Sequence, residues 1–220
     1  VGLTIFSQPI AIVLTLLWLI GFLNIFNFMD GIDGLAGSQA FIAAIFWLIV
    51  LLLEGQAELA MLSCLIAAAC LGFLFHNLPP ARIFMGDVGS AFLGFALAAL
   101  PPMAYVQTGN ARLPVVGGLF VAPFILDGSL TILQRAMKRE NVLTAHRSHL
   151  YQRLVIAGLS HAQVGKEYRW LMFLGCVCGI AYYAGSNGTM LLSLVVMLAT
   201  FVAYELLGTK RIMMYQKAST

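Results

Sequence analysis

The chain has 220 residues, of which 61% are hydrophobic and only 10% are charged, and its formal net charge is +3. Soluble domains carry roughly 25% charged residues, so this composition excludes an ordinary soluble protein. It predicts an all-α polytopic membrane protein in which residues 1–220 form a single membrane-embedded helix bundle.

Apolar segments follow one another along the chain, each compatible with the ~20 residues that a helix needs to cross the hydrocarbon core of a bilayer. We therefore predict about seven transmembrane spans. They cover residues 3–23, 36–53, 58–76, 89–107, 113–133, 168–185 and 189–207.

The connections between these segments alternate in charge. Eleven of the twelve Lys and Arg residues lie in or beside residues 24–35, 77–88, 134–167 and 208–220, whereas only Arg112 lies in the other connections. Basic residues are enriched in cytoplasmic loops. We therefore expect the first set of connections, which carries every polar motif described below, to face the cytoplasm.

The end of the first segment carries a polar motif, Asn24-Ile-Phe-Asn27-Phe-Met-Asp30-Gly-Ile-Asp33-Gly. Charge at the edge of a bilayer is costly and usually functional, and Asp30 and Asp33 share a face if the motif is helical. Paired carboxylates suit Mg²⁺, which takes oxygen ligands and bridges to substrate phosphates. The alternative is an ordinary turn between two helices, because Asn, Asp and Gly are common turn residues.

A second polar motif joins the third and fourth segments. A Pro-Pro pair ends the third segment, because proline cannot continue a helix interior, and Gly86-Asp87-Val-Gly89-Ser90 opens the fourth. Asp87 is either a functional carboxylate or a helix N-cap. The amide hydrogens of Gly89 and Ser90 suit a phosphate at a helix start. Arg82 is either a phosphate partner or an anchor at the lipid headgroups.

The third group of polar residues follows the fifth segment. Asp127 lies within that segment, and an intramembrane acid is a candidate functional group, although a partner such as Thr131 would make it structural. His161 is expected to cap or solvate the next helix. The loop between Asp127 and His161 contains residues that suit anion binding and proton handling. The alternative is a solvated basic loop without a function of this kind. The candidate site residues of the loop are His146, Arg147, His149 and Arg153.

Taken in order, these motifs resemble those of the polyprenyl-phosphate N-acetylhexosamine-1-phosphate transferases, the membrane-embedded glycosyltransferases of family 4. The resemblance covers roughly residues 20–155. It implies transfer of a sugar-1-phosphate from a UDP-N-acetylhexosamine to undecaprenyl or another polyprenyl phosphate, with release of UMP. It also implies a dependence on Mg²⁺, with Mn²⁺ as an alternative ion.

The resemblance further implies roles for individual residues. Asp87 and Asn27 would bind the metal, and Asp30, Asp33, Asp87 and His149 would form the catalytic group. Asn27 would contact both the metal and the donor. The remaining substrate-binding residues would be Asn24, Arg82, Gly89, Ser90, Asp127, His146, Arg147 and Arg153.

Two features depart from the family pattern. The family has adjacent aspartates in an earlier cytoplasmic loop and this chain has none, so we expect it to be the C-terminal two-thirds of a longer enzyme. The loop at His149 lacks the family's histidine run. It therefore resembles enzymes that initiate O-antigen or other surface-polysaccharide synthesis more than the phospho-N-acetylmuramoyl-pentapeptide transferases of peptidoglycan synthesis, which are the alternative. A membrane transporter is the alternative of another class, because intramembrane acids also mark transport sites.

The expected location is the bacterial inner (plasma) membrane, with the active site facing the cytoplasm. The expected partners are a UDP-sugar donor and a polyprenyl-phosphate acceptor, and no nucleic-acid partner is expected. Small residues such as Gly72, Gly94 and Gly118 suit close helix contacts, either within one chain or in a homodimer.

Overall fold

The computed structural model describes residues 8–141 and 147–218, and within these residues it contains nine α-helices and no β-strand. The prediction of an all-α protein is confirmed. The helices are α1 (Gln8–Phe28), α2 (Leu35–Leu53), α3 (Ala57–Asn77), α4 (Gly86–Thr108), α5 (Leu113–Phe120), α6 (Ala122–Met137), α7 (Leu150–Ile156), α8 (His161–Ala184) and α9 (Asn187–Ala218).

The predicted spans correspond to helices, although fewer than seven meet the requirements for crossing a membrane. In the described part of the chain, α1 to α4 and α9 are long and apolar enough, and the bent pair α5–α6 makes a sixth span if it counts as one. Helix α8 occupies the position of the predicted sixth span. Its first half carries Lys166, Glu167 and Arg169, which lower its hydropathy. The polytopic helix bundle is confirmed, with five or six such spans.

The predicted fifth span is broken. Helices α5 and α6 meet at an angle of 76°. Val121 leaves helical geometry with φ −119° and ψ 15°, and Pro123 in the first turn of α6 cannot donate a backbone hydrogen bond. The Phe120 carbonyl at the break accepts a hydrogen bond of 2.8 Å from Nε2 of buried Gln39. A polar side chain of α2 thus satisfies a backbone group that the bend would otherwise leave unpaired.

Helix α2 lies at the centre of the bundle, where it packs against α3, α4, α5 and α8. Its Trp47 is fully buried and meets Phe120 edge to face, with ring centroids 5.4 Å apart. Gly117 permits this approach, because a Cβ there would lie 2.9 Å from Cζ2 of Trp47. The bend between α5 and α6 is therefore packed directly against the central helix.

Close helix contact at a small residue occurs within this chain. A Cβ added to Gly94 of α4 would lie 2.9 Å from Cβ of Phe26 and 3.1 Å from Cα of Leu23, so this glycine lets α1 and α4 approach. Added Cβ atoms at Gly72 and Gly118 would meet no described atom within 4 Å. The homodimer stays a prediction.

The connections meet in two groups at opposite ends of the bundle. At one end, Arg112 donates to the carbonyls of Tyr183 at 2.7 Å and Gly185 at 3.1 Å, and Asn110 donates to Glu54 at 2.7 Å. At the other end, the α1–α2 and α3–α4 linkers meet the region from α7 to the start of α8. The grouping predicted from charge is confirmed, and the side that faces the cytoplasm stays a prediction.

Candidate active site

A polar cavity of about 300 Å³ lies where the α1–α2 linker, the α3–α4 linker and the start of α8 meet. Its wall contains Asn27, Asp30, Asp33 and Asp87, which belong to the first two polar motifs. The structure therefore brings together two motifs that are far apart in the sequence. The other wall residues are Gly31, Ile32, Asn77, Phe84, Met85, Gly86 and His161.

Asp30 and Asp87 interact through their charges in this cavity. Asp30 lies partly buried in the linker after α1, and Asp87 lies exposed in the first turn of α4. Burial, and secondly the negative charge of Asp87, raise the pKa of Asp30 from 3.8 to about 7. Met85 is the N-cap residue of α4, and no side chain caps that helix. The N-cap alternative for Asp87 is therefore not supported.

Asn27 is held in place by a hydroxyl group of α4. Buried Ser90 donates from Oγ to Oδ1 of Asn27 at 2.5 Å. Helix α4 begins at Gly86, where the second motif was expected to open the segment, and therefore before the apolar span predicted for residues 89–107. The amides in the first turn of a helix have no partner within the helix, so the start of α4 offers N–H groups to the cavity. Phosphate binding by the amides of Gly89 and Ser90 stays a prediction.

Both carboxylate oxygens of Asp33 are engaged. Oδ2 accepts a hydrogen bond of 3.1 Å from the backbone N–H of Ala81, and Oδ1 lies 3.2 Å from Nδ1 of His161. His161 is the first residue of α8 and lines the cavity, while Ser160 before it is the N-cap. The sequence-based expectation that His161 caps or solvates α8 missed this contact with Asp33.

Asn77 joins the two linkers that form the cavity. Its Oδ1 accepts from the Gly34 N–H at 3.0 Å, and its Nδ2 donates to the Ile83 carbonyl at 2.9 Å. Gly34 has φ +74°, a conformation that glycine adopts without a Cβ penalty. A Cβ at Gly34 would also lie 2.9 Å from Cδ2 of Leu78. This position therefore requires glycine for two independent reasons.

Asp127 is buried on α6, and protein donors surround its carboxylate. Oδ1 lies 3.2 Å from Nδ1 of His149 and accepts from the Leu150 N–H at 3.1 Å and from the Thr131 hydroxyl at 3.2 Å. Oδ2 accepts from the Tyr168 hydroxyl. The partner Thr131, which the structural alternative required, is thus present. This arrangement positions the His149 imidazole, and direct contact of Asp127 with substrate stays a prediction.

Tyr151 connects the Asp127 cluster to the cavity. It is fully buried, and its hydroxyl donates to the Phe28 carbonyl at 2.7 Å. A Cβ at Gly31 would overlap this hydroxyl, so glycine is required beside Asp30. Burial raises the pKa of Tyr151, and the charges of Asp127 and Asp30 raise it further. Tyr151 therefore lies within electrostatic reach of both carboxylates.

Two predicted substrate-binding residues make other contacts. Asn24 is exposed on α1, and its amide nitrogen donates to a backbone carbonyl of its own helix at 2.7 Å. Arg153 on α7 pairs through Nη2 with Oε1 of Glu205 on α9 at 2.5 Å. Neither residue lines the cavity. Their roles in substrate binding stay predictions.

Three further basic residues of the predicted site lie outside the cavity wall or outside the described residues. Arg82 in the α3–α4 linker and Arg147 before α7 are exposed. His146 lies outside the residues that the structure describes. Substrate binding by these three residues stays a prediction.

The cavity suits a divalent cation that is bound partly by substrate. Among the described residues, no group of three or more His, Cys, Asp and Glu side chains is arranged to hold a metal. Mg²⁺, however, commonly uses one or two carboxylates together with waters and substrate phosphates. Asp30 and Asp87 fit this requirement, because both line the cavity and the charge of Asp87 acts on Asp30, so that one cation would offset the charge of both carboxylates. Asn27 Oδ1 accepts from Ser90 and retains a second lone pair.

The cavity wall also contains an aromatic residue that was not predicted from the sequence. Phe84 is 77% exposed and lines the cavity beside the carboxylates. A large exposed aromatic ring next to a polar site offers a flat surface for stacking. The sequence feature that would have indicated Phe84 is its position in the second polar motif, two residues before Gly86.

The helix bundle and its cavity define a polytopic membrane protein with a carboxylate-lined site at one end. Residues 2–104 match the family described as glycosyl transferase family 4. The chain is 29% identical over 195 residues to the probable undecaprenyl-phosphate N-acetylglucosaminyl 1-phosphate transferase of Bacillus subtilis (strain 168), covering 89% of this chain and 54% of that protein.

Two further similarities extend the match. The chain is 35% identical over 167 residues to the phospho-N-acetylmuramoyl-pentapeptide-transferase of Desulforamulus reducens, covering 76% of this chain and 48% of that protein. It is 34% identical over 185 residues to the decaprenyl-phosphate N-acetylglucosaminephosphotransferase of Mycobacterium tuberculosis. The match covers 74% of this chain and 45% of that protein.

These similarities support the polyprenyl-phosphate N-acetylhexosamine-1-phosphate transferase superfamily for this chain. The resemblance based on the three motifs is therefore confirmed. The chain spans about half the length of the curated relatives it matches. Relatives of both the N-acetylglucosamine kind and the N-acetylmuramoyl-pentapeptide kind are similar to it, so these similarities do not separate the two subtypes.

Proposed function

We propose that the protein transfers a sugar-1-phosphate from a UDP-N-acetylhexosamine to a polyprenyl phosphate. The observation that carries this proposal is the meeting of Asp30, Asp33 and Asp87 in one cavity at the end of an apolar helix bundle. A site at this level is open to a water-soluble nucleotide and close to the phosphate of a membrane lipid. The names of the relatives support the same reaction class.

In this reaction an oxygen of the lipid phosphate forms a bond to the β-phosphorus of the UDP-sugar. The bond from that phosphorus to the oxygen bridging it to the α-phosphate breaks, and UMP leaves. The lipid phosphate is a competent nucleophile at neutral pH, so no strong base is required. Catalysis of phosphoryl transfer consists mainly of positioning and electrostatic stabilisation.

Two anionic substrates must approach each other, so the site has to offset their repulsion. Asp30 and Asp87, with Asn27 beside them, would hold Mg²⁺ or Mn²⁺, which when bound offsets negative charge on the diphosphate. Asp33 presents a carboxylate that Ala81 and His161 hold in a fixed orientation. A fixed acceptor of this kind suits hydrogen-bond donors of the nucleotide-sugar.

The Asp127 cluster would serve the leaving group. Asp127 fixes the ring of His149, and that ring also lies against Phe28 at the end of α1, with centroids 6.2 Å apart. We place His149, together with Arg147, at the donor diphosphate. A guanidinium can bind two phosphate oxygens at once, which suits the departing UMP.

Phe84 would bind the base of the donor. Its exposed ring lies on the cavity wall next to the carboxylates. Stacking of a base on an aromatic side chain contributes about 1–3 kcal/mol. The uracil ring of a UDP-sugar is the planar group that this surface would accommodate.

The distribution of charge and the relatives support a proposal for the location of the protein. We propose the bacterial inner membrane, with the cavity facing the cytoplasm where nucleotide-sugars are available. The enrichment of basic residues at the cavity end supports this orientation. The relatives named above are bacterial proteins.

The product would initiate O-antigen or another surface polysaccharide. The departure from the histidine run at His149 supports this subtype. A second candidate is phospho-N-acetylmuramoyl-pentapeptide transfer, which the 35% identity to the Desulforamulus reducens enzyme favours. The two candidates differ in the donor and share the same chemistry.

The proposal is tested with full-length protein purified in detergent and supplied with polyprenyl phosphate and Mg²⁺. Radiolabelled UDP-N-acetylglucosamine, other UDP-N-acetylhexosamines and UDP-N-acetylmuramoyl-pentapeptide are offered in parallel. The proposal predicts a lipid-linked radioactive product and one UMP per product. Product from the muramoyl donor alone would favour the second candidate. Uptake of a solute into proteoliposomes without any lipid product would instead indicate a transporter.

A further inference from the structure

A second groove lies outside the polar cavity, between α2, α3 and α8. It has a volume of about 350 Å³, and its walls are almost entirely apolar. The groove is lined by Ser38 and Ile42 of α2, by Leu71 and Leu74 of α3 and Leu78 directly after it, and by Arg169 of α8. Arg169 is the one charged side chain among the described residues that line it.

No anionic partner of Arg169 is found among the residues that the structure describes. The side chain is partly buried, and its Nη1 is buried without a hydrogen-bond acceptor from those residues. A buried charged donor without an acceptor is unfavourable. Most other described cations at this end of the bundle are exposed, or are paired as Arg153 is with Glu205 and Arg211 with Glu167. An anion from outside the described residues would therefore stabilise the Arg169 guanidinium by binding to it.

The guanidinium points toward the polar end of the bundle. Its Nη1 lies 3.1 Å from the position that a Cβ on Gly165 would occupy, one turn closer to the start of α8. The absence of a side chain at Gly165 leaves room for this orientation. Long basic side chains in membrane helices commonly extend in this way, with the stem in the apolar region and the charge at the level of the headgroups.

The groove is separated from the polar cavity. Leu78 lines the groove and packs against Gly34, and Asn77 hydrogen-bonds to the Gly34 backbone at 3.0 Å. Asp33 on the cavity side bonds to the Ala81 N–H at 3.1 Å. These contacts form a wall between the two spaces, so an occupant of the groove would not enter the catalytic cavity.

We propose that this groove binds an anionic phospholipid, with an acyl chain along the apolar walls of α2 and α3 and the headgroup phosphate on Arg169. The charge of Arg169 and the apolar lining together match that ligand. The wall at Leu78 and Asn77 distinguishes the site from the position of a reacting lipid. The proposal depends only on the membrane location and holds whatever reaction the cavity performs.

The test compares thermal stability of the full-length protein in detergent with added phosphatidylglycerol or phosphatidylcholine. Phosphatidylglycerol should raise the Tm by about 2–4 °C more than phosphatidylcholine. Arg169→Gln should lose this difference. Lys166→Gln, which removes the same charge from an exposed position on the same helix, should keep it. Undecaprenyl phosphate should not replace phosphatidylglycerol.

A second variant keeps the proposal testable if Arg169→Gln does not fold. Leu71 is 45% exposed on the groove wall, so Leu71→Trp should fill the groove while leaving the charge in place. It should reduce the phosphatidylglycerol effect by at least half. Equal stabilisation by both phospholipids, an undiminished effect in Arg169→Gln or Leu71→Trp, or an Arg169-dependent effect of undecaprenyl phosphate instead would overturn the proposal.

Discussion

His149 Nδ1 lies 3.2 Å from Oδ1 of Asp127, and both side chains are almost completely buried. The same carboxylate also accepts from the Leu150 N–H at 3.1 Å, at the start of α7. Asp127 of α6 therefore fixes both the imidazole ring and the helix that follows it. The bend before α6 contributes to this arrangement, because it sets the direction of the helix that carries Asp127.

Asp127→Asn should lower both stability and activity. An amide nitrogen cannot accept the hydrogen bonds that the carboxylate receives, and loss of a buried partner costs about 1–3 kcal/mol. We expect a lower Tm without substrate, and non-additive losses of kcat/KM when Asp127→Asn is combined with His149→Ala. An unchanged Tm together with a raised KM alone would instead indicate that Asp127 contacts the substrate directly.

The pKa of Asp30 gives a pH dependence of known sign. A pKa raised from 3.8 to about 7 means that the folded protein binds this proton more tightly than the unfolded chain does. The contribution of Asp30 to stability is therefore full below its ordinary pKa and is lost as the pH rises through 7. In metal-free buffer the Tm should fall between about pH 4 and 7, and Asp30→Asn should weaken this dependence of the Tm on pH. The same dependence of the Tm on pH in the wild-type protein and in Asp30→Asn would contradict the raised pKa of Asp30.

His161 should act by orienting Asp33. His161→Ala removes the partner 3.2 Å from Oδ1 of Asp33, so we expect kcat/KM for the UDP-sugar to fall about tenfold. His161→Gln should restore part of the kcat/KM, because the side-chain amide of Gln can donate a hydrogen bond to Oδ1 of Asp33. His76→Ala is the matched control, since His76 is exposed at the same end and does not line the cavity. Equal effects of the two alanine variants would argue against the positioning role.

The orientation of the bundle can be measured directly. Basic residues are concentrated at the cavity end, so Ser148→Cys should be shielded from a membrane-impermeant thiol reagent applied outside the cell. Gly109→Cys at the opposite end should react. Both variants are made in full-length protein that lacks its native cysteines, including the four in this chain. Reaction at Ser148→Cys without reaction at Gly109→Cys would reverse the assigned orientation.

Much of the architecture follows from local sequence patterns. Hydropathy located the helices, the Pro-Pro pair marked the end of α3 at Asn77, and Gly86 was recognised at the start of α4. The charge asymmetry grouped the connections correctly at two ends of the bundle. These features depend on residues close together in the chain, and their physical causes are visible in the sequence itself.

Contacts between distant helices could not be predicted in the same way. The pairing of His161 with Asp33 and the hydrogen bond from Tyr168 to Asp127 depend on how α8 packs against the rest of the bundle. The bend at Val121 had a visible signal in Pro123, but a proline in an apolar segment is equally consistent with a mild kink. Helix packing decided among these possibilities.

The central claim is that the cavity containing Asp87 performs sugar-1-phosphate transfer. It is tested most directly by following the lipid-linked product and UMP with full-length wild-type protein and Asp87→Asn, while thermal melting in detergent monitors folding. The substitution keeps the shape and removes the charge. We predict equal Tm values and a loss of turnover of at least about 10²-fold in the variant, because a ligand to a phosphate-bridging cation is lost. Near-wild-type turnover by folded Asp87→Asn would contradict the assignment of this cavity as the active site.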